Sequence, residues 1–216
     1  AEIGDGAIAL AMDVTSEDSI EAAVDAAHDS FGGIDILINN AAVFTAAPLT
    51  EITRADYQQV FSINVAGTLF TMQAVARRMI KQAAGNVESQ IGSIINLSSI
   101  AARRAHPDLM AYSIATAASD QMTRSLAVAL APHKIRVNAV AFGSVMSASL
   151  QETLKENADF RGDIEDHTPL QRSASPNELA AAVQYLASDW SGFMTGQIMT
   201  LDGGRTLIDP VAAPAH

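Results

Sequence analysis

Ser99 and Tyr112 are the two residues whose types and spacing could do chemistry together. A serine hydroxyl and a tyrosine phenol sharing one pocket can hold a carbonyl or alcohol oxygen and pass a proton to it. A free tyrosine has a pKa of about 10, so only about one part in a thousand is ionised at pH 7. Lowering that pKa by about 3 units takes about 4 kcal/mol of charge stabilisation. A cation one helical turn further on would supply it, but Thr116 stands there, and a hydroxyl carries no charge. The deficit has a direction. Oxidising an alcohol needs tyrosinate as base, whereas reducing a carbonyl needs the neutral phenol as acid, which is already present. Arg103 and Arg104 are the candidate substitute cations, although their place in the connection before Tyr112 suits a surface role better.

The elements that position this pair follow from apolar spacing. Ile94-Ile95-Asn96-Leu97 reads as a buried strand ending in Ser98 and Ser99, and Tyr112 opens a helix that runs to about Leu130 and stops before Pro132. Ala7 to Met12 reads as a buried strand ending at Asp13-Val14. Thr15 and Asp18 then cap a helix with Ile20, Val24, Ala27 and Phe31 on one face, closed by Gly32-Gly33. Ile34 to Ile38 is the next strand, followed by Asn39-Asn40-Ala41-Ala42. Thr53 and Asp56 cap a long helix to about Ile80, and residues 83–90 read as a polar loop. Ile135 to Ala141 is a strand closed by Phe142-Gly143. Residues 144–174 read as a loop with a short helix around Leu150 to Glu156. Ser175-Pro176-Asn177-Glu178 is a helix start, and Gln197 to Leu201 is a last strand before Asp202-Gly203-Gly204. Strands apolar on both faces, alternating with long helices, predict an α/β doubly wound parallel sheet. Ligands of such sheets sit beyond the carboxyl ends of the strands, where Asp13, Asn39-Asn40, Ser98-Ser99 and Gly143 fall.

Composition narrows the function classes. The 216 residues suffice for one sizeable core, and a 49% hydrophobic share is that of a globular chain. A net charge of -11 opposes binding to a phosphate backbone, so nucleic acid is not an expected partner. No apolar run approaches the roughly 20 residues of a membrane helix. Cysteine is absent, which fits a cytoplasmic setting. His28, His106, His133, His167 and His216 show no metal-ligand spacing, so no metal site is expected; His106 lies near the pair in sequence and is a weak candidate for substrate contact.

In order along the chain, these residues resemble the short-chain dehydrogenase/reductase (SDR) family. Asn39-Asn40-Ala41-Ala42 resembles its NNAG, with the glycine replaced. Asp13-Val14 resembles its adenine-contacting Asp-Val, and Asn64 in Ser-Ile-Asn-Val-Ala-Gly its helix asparagine. Ser99 and Tyr112 have its spacing, residues 137–143 resemble VNxVxPG with Phe142 for proline, and Asp202-Gly203-Gly204 resembles its terminal DGG. The resemblance implies a single Rossmann-like domain over 1–216 binding NAD or NADP. It implies Ser99, Tyr112 and Asn64 as catalytic residues and Asp13, Val14, Asn40, Ala41, Ala42, Gly143 and Val145 as cofactor contacts. Each has a plainer reading too: Ser99, Asn40 and Asp13 as turn or strand-end caps, Tyr112 as a packed ring, Asn64 as a backbone tie in a bent helix. The lysine that the family carries one turn after its tyrosine corresponds to Thr116.

The family begins with a strand and a TGxxxGxG loop, whereas only Ala1 to Gly6 precede the Asp-Val strand here. By that comparison a βαβ-sized portion of at least about 30 residues, with strands 1 and 2 of the family's order, is missing. The 7–12 run should then stand apart from the sheet, and cofactor affinity should be poor for want of the glycine loop. The expected function is interconversion of a small-molecule secondary alcohol and ketone, biased to reduction by Thr116, in a homotetramer or homodimer. Residues 34–80 are similar to polyol dehydrogenases such as sorbitol dehydrogenase; hydroxysteroid dehydrogenases and acyl-carrier-protein reductases are alternatives. The contrasting class is a catalytically degenerate binding or assembly protein that kept the fold.

Overall fold

The computed structural model describes residues 4, 6–84, 90–157 and 159–209. Most of the loop expected at 83–90, and His216, lie outside them. Four strands form one parallel sheet in the order β1-β2-β3-β4: β1 (Ile36–Asn39), β2 (Gly92–Ser99), β3 (Ile135–Phe142) and β4 (Ile198–Leu201). Helices cover both faces. On one, α1 (Glu17–Phe31), α3 (Thr68–Gln82) and α4 (Met110–Leu130) bury Ile20, Val24, Met72, Met79 and Leu130 with Ile94 and Val137. On the other, Val183 and Leu186 of α7 (Pro176–Ala187) pack with Ile95 and Val140. The alternation of Ile94 and Ile95 between the two faces is the two-residue period of a strand buried on both sides.

Two capping boxes predicted from sequence are present. Thr53 opens α2 (Arg54–Phe61) with Asp56 reciprocating, and Ser175 opens α7 with Glu178. The Thr15–Asp18 cap is corrected: Ser16 caps α1 by accepting from Ser19 N–H, and Thr15 instead bonds the Asp13 carboxylate. Phe31, assigned to the buried face of α1, is 58% exposed. The long helix from Thr53 is not continuous. A π-helical turn, Ser62–Gly67, separates α2 from α3 and holds Asn64. Residues 144–174 contain two helices, α5 (Ala148–Glu156) and α6 (Asp159–Asp166), where one was expected.

The run 7–12 forms no strand, which corrects the reading of it as a buried one: Ile8, Leu10 and Met12 are each more than 40% exposed. A strand exists only where a neighbour completes its hydrogen-bond ladder. Here a largely apolar cavity of about 440 Å³, floored by α1 and α3, has Leu10 and Met12 on one side and Ile36 and Leu37 on the other. Among the described residues β1 therefore pairs only with β2, and Ile36 and Ile38 stand 47% exposed.

Candidate active site

Parallel pairing sets the carboxyl ends of β1, β2 and β3 side by side: Asn39 lies opposite Asn96, and Ser99 opposite Phe142. The chain leaves β2 through one 3₁₀ turn, Ile100–Ala102, whose first free N–H groups are satisfied in part by Ser99 Oγ accepting from Ala101 N–H at 3.1 Å. It then folds back into α4, which begins at Met110, two residues before Tyr112. This connection brings Ser99 near the Tyr112 phenol. The Phe44 ring meets Tyr112 edge-on at 6.2 Å. Phe44 had no expected role; the sequence signal was only its place after Asn39–Val43.

Burial pushes the Tyr112 phenol above its usual pKa, and the Ser99 hydrogen bond offsets only part of this. Among the described residues, no cation is a cause of its shift. Thr116 shares its hydroxyl proton between the carbonyls of Tyr112 and Ser113, both at 3.0 Å, as a helical threonine commonly does. Arg103 donates to Thr200 Oγ1 at 3.2 Å, and Arg104 bonds the carbonyls of Thr206 and Ile208. Both exposed guanidinium groups are thus engaged by the C-terminal segment, in keeping with the surface role. His106 is exposed and accepts from Asp108 N–H at 3.2 Å.

Asn64 is brought to the site, but its side chain is engaged: Oδ1 accepts from Val43 N–H at 2.9 Å and Nδ2 donates to Val43 O at 2.7 Å. The π-turn around it moves Gly67 against the loop after residue 12. A Cβ at Gly67 would lie 2.9 Å from Val14 Cβ, so only glycine permits that approach. A buried polar line crosses the sheet nearby. Asn39 Nδ2 donates to Asn96 Oδ1 at 2.8 Å, and Asn96 Nδ2 donates to Thr123 Oγ1 at 2.9 Å. Ser98 Oγ donates at 2.6 Å to the buried Asp120 carboxylate, whose pKa burial raises. Asn96, Asp120 and Thr123 were not singled out from sequence; polar residues inside an apolar strand and on the inner face of α4 were the available signal.

The expected cofactor contacts fall into three places. Val14, Asn40 and Ala41 line one cavity of about 150 Å³ with Gly67 and Thr71. Ala42 lines a smaller one with Asn64, Tyr112 and Thr116. Gly143 and Val145 lie past the end of β3, where Gly143 N–H donates to Leu201 O at 3.0 Å and Val145 bridges to Ala174. The Asp13 carboxylate is exposed and held low by its bonds from Thr15. Thr71 Oγ1 is buried without a protein partner in the first of these cavities. A part-polar cavity at strand carboxyl ends fits part of a dinucleotide. Among the described residues, no group of three or more histidine or acidic side chains is placed to hold a metal, and no helix is long and apolar enough to cross a membrane.

A parallel α/β sheet with a serine–tyrosine pair at its carboxyl edge defines a Rossmann-type oxidoreductase fold. The family model described as enoyl-(acyl carrier protein) reductase matches residues 1–206. A sorbitol dehydrogenase of Cereibacter sphaeroides is 39% identical over 213 residues, covering 95% of this chain and 81% of the relative. A galactitol 2-dehydrogenase of Agrobacterium fabrum is 38% identical over 213 residues, with the same two shares. The crystal structure of a gluconate 5-dehydrogenase from Burkholderia cenocepacia, in complex with NADP and tartrate, superposes with a TM-score of 0.84 at 31% identity, over 92% of this chain and 74% of that one. The chain belongs to the short-chain dehydrogenase/reductase family.

Proposed function

We propose that this protein is a nicotinamide-dependent oxidoreductase that interconverts a secondary alcohol and a ketone, with Ser99 and Tyr112 as its catalytic pair. The observation that carries this reading is the approach of Ser99, at the carboxyl end of β2, to the partly buried Tyr112 phenol. Val14, Asn40, Ala41 and Ala42 would hold one part of the dinucleotide, and Gly143 and Val145 another. The dinucleotide, when bound, supplies or accepts the hydride. Ser99 holds the substrate oxygen, and the Tyr112 phenol gives that oxygen its proton during reduction. Asn64, already tied to Val43, positions the 40–44 loop under the substrate.

At a fixed pH, the ratio of kcat/KM for oxidation and reduction belongs to the equilibrium constant. The reductive bias is therefore read in pH profiles. Reduction needs the neutral phenol and should be flat through neutral pH, whereas oxidation should climb about tenfold per pH unit until the phenol ionises. The relatives' names support polyols and sugar acids as the substrate class. Self-association as a homodimer or homotetramer belongs to the same reading, supported by exposed Tyr57 on α2 and Ile114 and Val128 on α4.

Titrating the protein with NADH and NADPH, then assaying reduction of ketoses and keto acids, tests this. Binding of one cofactor with turnover is expected. Absence of binding to both refutes the oxidoreductase reading. One observation favours a second reading, a degenerate binding protein: the Thr116 hydroxyl is turned onto its own helix and leaves the phenol without a charge partner. Cofactor binding without turnover, with turnover appearing in Thr116→Lys, would establish that alternative.

A further inference from the structure

Phe44 is a large apolar side chain kept in solvent beside the reacting pair. It is 61% exposed, and its ring meets Tyr112 edge-on at 6.2 Å. An unrestrained loop would tuck such a ring away, because removing apolar surface from water is favourable. Here the backbone is held on both sides of it. Val43 is bonded through its N–H and its carbonyl to Asn64, at 2.9 and 2.7 Å, and packs against the cluster of Val60, Ala111 and Ala115. Further along, Ala47 N–H donates to Asp108 O at 2.9 Å. The ring therefore stands between two ties, on the segment leaving β1, with open surface next to the phenol.

The geometry points to Phe44 as a specificity-determining residue: its ring is the wall for the carbon chain of an uncharged polyhydroxy substrate, a ketose or its polyol, and disfavours a sugar acid. This rests on the oxidoreductase reading, which puts the Tyr112 phenol at the reacting oxygen. A phenyl ring is electrostatically negative on its face and positive at its edge. Carbon-bound hydrogens of a polyol chain, made partly positive by the neighbouring hydroxyls, are attracted to that face, while the hydroxyls turn to water or polar groups. A carboxylate is repelled by the same face and calls for a positioned cation, best a bidentate arginine. The arginines on the segments that follow β2 and β4 are committed to protein groups: Arg103 to Thr200, Arg104 to the carbonyls of Thr206 and Ile208, and Arg205 to Ser144 Oγ at 3.2 Å. A ring already fixed by its loop also gives up little freedom when substrate arrives.

The test compares wild type with Phe44→Ala and Phe44→Leu, the fold of each being checked by circular dichroism. The substrates are D-fructose, the ketogluconate of equal chain length, and acetone, which has no chain to lie on the ring. Wild type should favour D-fructose over the ketogluconate in kcat/KM. In Phe44→Ala the ratio of kcat/KM for D-fructose to that for acetone should fall about fivefold, chiefly through the KM for D-fructose. Phe44→Leu, apolar but without the ring's charge distribution, should fall between the two. A merely structural role would lower both substrates together and leave the ratio unchanged. Dissociation constants for D-fructose, read by proton NMR titration with and without reduced cofactor, need no turnover and should rise by the same factor in Phe44→Ala. Cofactor binding without turnover of any ketone would sink the oxidoreductase reading, while these constants would still decide the role of Phe44. An unchanged D-fructose constant or an unchanged ratio in Phe44→Ala would overturn the proposal. So would a wild type that prefers the ketogluconate, or one that does not bind D-fructose.

Discussion

Thr116→Lys is the perturbation that most directly probes the site. Residues four apart on a helix are about 5–6 Å from each other, so an ammonium at 116 can approach the phenol to about 6 Å. At an effective dielectric of about 20, a unit charge at that distance stabilises tyrosinate by about 3 kcal/mol, or about 2 pKa units. The wild-type phenol starts above its ordinary value because burial dominates its environment. The pH profile of oxidation should therefore still be rising at pH 9 in the wild type, and should break about 2 units lower in the variant. At pH 7 the phenolate fraction grows about 100-fold. A weaker base transfers protons less readily and returns about half of that gain on a logarithmic scale, so kcat/KM should rise about tenfold. Thermodynamic balance requires the same gain in the reductive direction at that pH. Initial rates in both directions from pH 6 to 10, with the fold checked by circular dichroism, give the break and the gain. A wild-type oxidation profile already level below pH 8 would refute the reasoning. So would a folded lysine variant whose break does not move.

Three further outcomes concern stability. Arg136 is buried and donates to Gln90 Oε1 at 2.8 Å, Leu186 O at 3.0 Å and Ser188 O at 3.2 Å; Arg136→Met should cost about 3 kcal/mol in urea unfolding by leaving those acceptors unpaired. Glu178 is held at about 2 by Arg172 and the Ser175 backbone, below its unfolded value of 4.5. Its contribution should be complete above pH 4.5 and fade as pH falls toward 2, and Arg172→Ala should flatten that slope in the urea midpoint between pH 5 and 3. Asp120 has the opposite sign. Its folded pKa is raised, so stability falls as pH rises from 3.8 through the folded value; Asp120→Asn, which can still accept from Ser98, should remove that fall, and an unchanged pH dependence in the variant would contradict the assignment.

Much of the fold was legible in the sequence because it rests on short-range rules. Thr53–Asp56 and Ser175–Glu178 cap their helices through bonds spanning three residues. Ile94 and Ile95 announce a strand buried on both faces by adjacency alone. The spacing of Ser99 and Tyr112 set a serine at a strand end and a tyrosine at the start of the next helix, and the elements fall there. The failures share a physical origin. An apolar run such as 7–12 becomes a strand only when another strand lies against it, and its own residues cannot say whether one does. The π-turn at Ser62–Gly67 occurs where Asn64 bonds the backbone of Val43, twenty-one residues away.

By itself, then, the sequence determined which residues are apolar, where helices begin and stop, and that a serine and a tyrosine stand near one another with threonine where a cation would matter. Only the tertiary structure decided the electrostatics. It turned Arg103 and Arg104 toward residues 200–208, closed the Thr116 hydroxyl onto its own helix and partly buried the phenol. Residue type sets a side chain's intrinsic pKa, but the charge and solvent around it come from segments distant in the chain, which meet only when the sheet forms.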